Sequence, residues 1–320
     1  MNTTQQPAWL REAQEHYTDN AAREQLSAAY AIAAATPTPP DERSRTLVKL
    51  LLNLRSDATL LAAGILVAPW RKKELDPDTL AAAPCHNVIP LLQALDDLAL
   101  IDQLHEQEQS DLERLRKMLL AMASDMRAVI LKLALQVVLM RNLGAYSAQE
   151  QQRFALQTRD LLAPLANRLG IAQLKSELED RALRVLEPDI YQEIAGELEG
   201  KRVDRERYIN RIIDLLRYKL ADAGVHVKRL YGRVKHINSI YLKMKRKGLR
   251  FEQLNDIRAV RVEVETEADC YRVLSVVNDL WQPIAAEFDD YIAHPKANGY
   301  QSLHTSLIGP ENRVIEVQIR

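Results

Sequence analysis

The sequence predicts an α+β protein with an all-helical first half and a second half in which helices alternate with strands. Three observations carry this reading. Glycine is sparse from residue 1 to 190, where Ala and Leu dominate, a composition that favours long helices. Within 110–142, Leu112, Leu115, Leu119, Met122, Met126, Val129 and Leu133 recur at steps of three and four, the period of a buried helix face. After Val225, IRAVRVEVE (257–265) and VIEVQIR (314–320) are β-branched and alternate with period two, as half-buried strands do.

Taken in order, the TPTPP run at 36–40 reads as a loop between helices, and 110–142 as two helices broken near Ser124-Asp125, with Asp125 capping the second. Further helices are expected over Ile237–Lys247 and Ala268–Leu280, between the strands. The 320 residues make two domains at roughly 150 residues each. The expected divisions are a helical domain over 1–145, a helical connector over 146–199 and an α/β domain over 200–320, which starts around GELEGKRVDRERY. No internal repeat or low-complexity tract interrupts this plan.

Composition excludes several classes. Apolar residues at 47% and charged residues at 27% set disorder, collagen and coiled coil aside. The 43 basic and 44 acidic residues nearly cancel, so nothing draws the whole chain to DNA or to an anionic membrane. Cys85 and Cys270 are too few for a disulfide framework or a cysteine-rich zinc site. The N-terminus lacks a basic start and an apolar run, and no segment approaches the roughly 18 apolar residues that span a bilayer. A cytoplasmic protein is expected.

Local charge departs from the neutral average. Between Lys228 and Arg250 stand nine basic residues and no acidic one. Many such runs are solvated helix faces, but the arrangement here is more specific. Arg233 and Lys235 alternate in an extended stretch after Gly232, and Ser239, Lys243 and Lys247 recur every four residues on one helix face beside the apolar Ile240 and Met244. An extended arm and a helix face then converge cations on one point, as a polyphosphate requires. On the last strand Glu316, Gln318 and Arg320 share one face and Ile315, Val317 and Ile319 the other. Asp256 precedes the strand of Val260, Val262 and Val264; strict alternation places it opposite Arg261, so a turn or bulge is expected there. Singly, Asp256 and Glu316 read as edge-strand charges. Together beside the cationic cluster, two such carboxylates can hold Mg²⁺ and accept a proton from a sugar hydroxyl.

YGRVKHINSIYLKMKRKG, LNDIRAVRV, EFDDYIAHPKANGYQSLHT and VIEVQIR, in that order from Tyr231 to Arg320, closely resemble the synthetase domain of the RelA/SpoT family of alarmone synthetases. LAPLANRLGIAQLKSELED (162–180) resembles the helical connector of the long family members. The resemblance implies a nucleotidyltransferase-like mixed sheet, and transfer of pyrophosphate from ATP to the 3′-hydroxyl of GDP or GTP in the bacterial stringent response. By motif position, Arg233 and Arg261 would sandwich adenine, and Lys235, Ser239 and Lys243 would hold the ATP phosphates. Asp256 would bind Mg²⁺, with Glu316 alongside it, and Glu316 would activate the 3′-hydroxyl. Tyr300 would stack on guanine, with Lys296, Asn298 and His304 near the acceptor nucleotide. Long family members also contact the ribosome and uncharged tRNA through C-terminal regions beyond Arg320, so the synthetase domain is expected to be cut short here.

Bifunctional relatives carry a Mn²⁺ hydrolase in the helical half, with an early His, a His-Asp pair and a later Asp in a helix of the form KLADRLHNMR. This sequence reads KLALQVVLMRN there. By alignment the ligand positions are Arg43, Leu66, Val67 and Leu135, and Leu and Val cannot ligate a cation. A pseudo-hydrolase of the HD type is expected, as in the monofunctional branch. EFDD (287–290) points the same way, because bifunctional members are basic at this place. Its carboxylates, Glu287, Asp289 and Asp290, suggest an acidic loop that reaches nucleotide phosphates through further Mg²⁺. Two competing readings are a catalytically silent binding module and a nucleotidyltransferase acting on RNA. The segment around Tyr300, and the lack of a basic stripe outside 228–250, disfavour the second.

Overall fold

Short acidic or hydroxyl side chains open most helices of the first half, where they accept from first-turn N–H groups that have no partner within the helix. After α1 (Ala8–Glu15), Asp19 caps α2 (Asn20–Ala34), Asp41 caps α3 (Glu42–Asn53) and Asp57 caps α4 (Ala58–Arg71). Asp76 caps the short α5 (Pro77–Ala81), and α6 covers Ile89–Asp97. Asp125 caps α7 (Met126–Arg141) by accepting from Arg127 N, as its position in the sequence suggests. Ser147 and Glu150 form a reciprocal capping box at the start of α8 (Ala148–Gln157), followed by a π-helical turn over Thr158–Leu162. The TPTPP run lies between α2 and α3, in the loop expected of it.

The computed structural model describes residues 6–98, 125–200, 202–251, 254, 258–296 and 298–320. The helical period read over 110–124 therefore lies outside the described residues, as does Asp256. Two compact units divide the chain, Met1–Leu165 and Ala166–Arg320, so the connector expected over 146–199 is shared between them. In the first unit α4 is buried along its whole length from Ala58 to Val67, which makes it the central helix, packed by α2 and α3. Gly64 permits that approach, since a Cβ there would stand 2.9 Å from Leu51 Cδ1. No helix among the described residues is long and apolar enough to cross a membrane.

α9 (Ala163–Arg168) spans the division. The second unit continues with α10 (Ala172–Leu186), α11 (Pro188–Gly200) and α12 (Arg202–Asp222). Then follow β1 (Val227–Val234), α13 (Ile237–Lys247), β2 (Arg258–Val264), α14 (Glu267–Leu280), β3 (Gln282–Asp290), β4 (Leu303–Ile308) and β5 (Val314–Ile319). The strands form one sheet in the order β1-β2-β5-β4-β3. Only β2 and β5 pair in parallel, so the sheet is mixed and the chain α+β. Its apolar face carries Val260, Val262, Leu303, Leu307, Ile315, Val317 and Ile319, and packs on Tyr208, Ile212 and Leu216 of α12 and Val273 and Val277 of α14. A smaller core joins Ile194 and Leu198 of α11 to Ile240 of α13, with Phe251 and Leu254.

The EFDD segment differs from its expected form. It is the end of strand β3 and not a loop. β3 is an edge strand, paired on one side only, with its register interrupted between Pro283 and Phe288. Its exposure rises and falls every three residues instead of every two, so no clean alternation marks it as a strand.

Candidate active site

Sheet register sets the polar face, because side chains directly opposite on neighbouring strands share a face. One row runs Arg233–Ala259–Glu316–Ser306 across β1, β2, β5 and β4. The next runs Tyr231–Arg261–Gln318–His304–Asp289 across all five strands. Two adjacent rows thus bring Arg233, Arg261, Glu316 and His304 together, although they are scattered over more than eighty positions of the sequence. Arg233 Nη1 and Arg261 Nη2 both donate to Gln318 Oε1, at 2.6 and 2.9 Å. Gln318 Nε2 donates to Glu316 Oε1 at 2.7 Å, and Lys235 Nζ to Glu316 Oε2 at 3.3 Å. Glu316 is only 9% exposed. Burial first, then the neighbouring Arg261 cation, pushes Arg233 below the usual arginine range.

Helix α13 supplies the next cations. Its N-cap, His236, makes no side-chain capping bond of its own. Asp180 on α10 does that work: Oδ1 accepts from Asn238 N at 2.7 Å and Oδ2 pairs with His236 Nδ1 at 3.1 Å. Ile240 is buried, as the helix period requires, and Gly248 ends the helix with φ +62°. Ser239 and Lys243 face a cavity of about 920 Å³ that also holds Lys235, Lys245, Arg246 and Lys296, with Glu287, Asp289 and Glu316 opposite. With Lys175, six basic side chains meet three carboxylates there, which favours a highly anionic ligand. The side chain of Lys247 lies outside the described residues.

A second cavity of about 600 Å³ shares Ser239, Lys296 and His304 with the first and adds Arg233, Arg261, Asn298 and Tyr300. Tyr300 OH lies 3.0 Å from His304 Nε2, and the two rings meet edge-on with centroids 5.9 Å apart. Lys296 Nζ stands 4.1 Å from the Tyr291 ring centre and 5.7 Å from that of Tyr300. Burial holds His304 below its ordinary range, keeping it neutral, although Glu316 pulls the other way. Asn298 shapes the turn: Oδ1 accepts from Tyr300 N at 3.2 Å, and Nδ2 donates to Asn167 O at 2.9 Å. The following Gly299 adopts φ +73°, a conformation that favours glycine.

The three carboxylates of EFDD separate. Glu287 and Asp289 border the larger cavity with Glu316. Asp290 does not join them, because strand alternation turns it the other way, where it accepts from Tyr271 OH at 2.9 Å and from the backbone N of Ile292 and Ala293. Its part is to fix the turn after β3. The oxygen donors of Glu316, Glu287 and Asp289 suit a hard divalent cation. Among the described residues, though, no three acidic or imidazole groups converge as a ligand set, and Asp256 lies outside those residues.

In the first unit, Arg43, Val67 and Leu135 line one cavity of about 420 Å³, and Leu66 is fully buried beside Val67 in α4. Three of the four positions aligned with metal ligands therefore meet around one space, and its wall there is aliphatic and cationic. Gln136, next to Leu135, donates to Thr158 Oγ1 at 2.7 Å and so ties α7 to the π-helical turn.

Sequence reasoning passed over Asp180 and assigned no part to Gln318. Asp180 acts 58 positions from the helix it caps, so no local spacing reveals it. Gln318 could have been found: it shares a strand face with Glu316, and a buried amide there needs partners for both ends.

Residues 232–320 match the model of the region found in RelA/SpoT proteins, and residues 20–172 match an HD domain. A GTP pyrophosphokinase of Escherichia coli (strain K12) is 40% identical over 283 residues, 87% of this chain and 38% of that protein. One from Photobacterium angustum is 39% identical, covering 87% of this chain and 38% of that protein. A Synechocystis protein named probable guanosine-3′,5′-bis(diphosphate) 3′-pyrophosphohydrolase is 41% identical, over 85% of this chain and 36% of its own length. The chain thus spans little more than a third of the length of these relatives. Relatives with synthetase and hydrolase names stand at the same identity, so overall likeness leaves hydrolysis to be decided at individual positions.

Proposed function

The chain belongs to the RelA/SpoT family, and from that premise we propose that it transfers pyrophosphate from ATP to the 3′-hydroxyl of GDP or GTP, forming the guanosine tetra- or pentaphosphate and AMP. The observation that carries this reading is the position of Glu316. It is a buried carboxylate on β5, flanked by Lys235 and facing a cavity with six basic side chains. Lys235, Ser239 and Lys243 hold the ATP phosphates, and Arg233 and Arg261 hold the adenine end. Tyr300 presents a π face to guanine, and Lys296, over the neighbouring ring, places a cation beside the acceptor nucleotide.

Glu316 takes the proton from the 3′-hydroxyl; the oxygen attacks the β-phosphorus and AMP leaves. Asp256 and Glu316 would hold Mg²⁺, which supplies charge neutralisation on the phosphates. Tyr300 OH and His304 Nε2 lie 3.0 Å apart, and the imidazole packs edge-on beside the ring that meets guanine. The deciding experiment incubates the chain with ATP, Mg²⁺ and GDP or GTP and resolves the nucleotides. AMP together with tetra- or pentaphosphate is expected. Tight binding of both nucleotides without product would instead favour a silent binding module. Substrates, Mg²⁺ and a cytoplasmic site of action belong to the same proposal.

The helical unit does not hydrolyse the alarmone under this proposal. Support comes from Val67 and Leu135, which stand at two of the aligned ligand positions, line a cavity of the first unit and offer no lone pair to a metal. With Mn²⁺ and tetraphosphate as the only additions, the purified chain is expected to release no pyrophosphate. Mn²⁺-dependent release, abolished by chelation, would overturn this part of the reading.

A further inference from the structure

We propose that Gln318 is a positioning residue serving both substrates, its carbonyl gathering Arg233 and Arg261 at the ATP end and its amide N–H orienting Glu316 at the acceptor end. The inference rests on the synthetase reading above. Gln318 is 4% exposed and sits mid-row between Arg261 on β2 and His304 on β4. A guanidinium has only donors and a carboxylate only acceptors, so one orientation of the amide satisfies all three neighbours. Reversing it would set N–H against N–H and oxygen against oxygen.

The residue type matters as much as its place. Two half-buried arginines that share one acceptor repel each other, and partial burial with that repulsion is what pushes Arg233 down. A carboxylate acceptor would cancel part of their charge. A neutral amide oxygen holds both cations in place and leaves their charge for the π face of adenine. Its other end donates to Glu316 Oε1 while Lys235 holds Oε2, so the carboxylate is fixed from both sides. One side chain therefore sets the spacing between the group that binds ATP and the group that takes the proton.

Two variants separate the two jobs. Gln318→Met keeps length and apolar volume but loses both hydrogen-bonding ends. It is expected to raise the KM for ATP and weaken an α,β-methylene ATP analogue roughly tenfold, with a similar drop in kcat and little change in the KM for GDP. Gln318→Glu keeps an oxygen for the arginines and loses the donor to Glu316. It is expected to weaken the analogue by less than Gln318→Met does, the loss reflecting the arginine charge that the new carboxylate cancels, while kcat falls at least tenfold. Thermal melting of each variant reports on folding. Unchanged analogue affinity in a folded Gln318→Met protein would overturn the arginine half of the inference, and unchanged kcat in a folded Gln318→Glu protein the Glu316 half. Equal loss of affinity for ATP analogue and GDP in both variants would show a merely structural residue and overturn the whole. If the unsubstituted chain bound the analogue but made no product, the synthetase reading would fall, and the affinities alone would still decide the arginine half.

Discussion

Glu316→Gln is expected to lower the turnover of pyrophosphate transfer by roughly 10²–10⁴-fold, the usual cost of removing a general base. An amide keeps the shape and volume of the carboxylate on the central strand β5, so the sheet register around it has no reason to move. What it lacks is a basic oxygen for the 3′-hydroxyl proton. Lys235 loses an anionic neighbour at 3.3 Å, which leaves more of its charge for ATP, so nucleotide affinity is expected to hold or rise. Initial rates with ATP and GDP, paired with calorimetric titration of a non-hydrolysable ATP analogue, separate the two effects. Turnover within a few-fold of the unsubstituted chain would remove Glu316 from the role of base.

Tyr300→Ala is expected to weaken the guanine nucleotide by about 1–3 kcal/mol, roughly 5- to 150-fold in KM, and ATP far less. The ring is half-buried beside His304, so the loss includes contacts within the protein as well as stacking. Tyr300→Phe divides these. It keeps the π face and deletes the hydroxyl that meets His304 Nε2 at 3.0 Å, so affinity for GDP should stay near that of the unsubstituted chain. Measuring KM for each substrate with both variants checks the assignment. Equal losses for ATP and GDP in Tyr300→Ala would make the ring a structural element of the turn.

What the sequence disclosed follows the range of the interactions concerned. Asp125 as a cap, the buried Ile240 and the strands around Val260 and Val317 depend on neighbours within one helical turn or one pleat, and periodicity reads them directly. Arg233, Lys235 and Glu316 were legible as chemistry through their motifs, but their meeting depends on the β1-β2-β5-β4 order, which no local pattern encodes. Asp290 shows the opposite failure. Grouped with its acidic neighbours by composition, it is turned away by a one-residue step along β3 and spent on a turn. Asp256, named from its motif, lies outside the described residues.

The bond from Asp180 to the first turn of α13 bears on where this catalytic apparatus can be separated from the rest of the chain. A cut at residue 200, where composition changes, would keep every residue assigned to nucleotide chemistry. It would also discard the only described carboxylate at the N-terminus of the helix that presents Ser239 and Lys243. Such a cap contributes on the order of 1 kcal/mol, and Lys175 and Ser176, which border the same cavities, would go with it. A transplantable unit with the proposed activity is therefore expected to start upstream of Ala172, so that part of the stretch that reads as a connector goes with the candidate site.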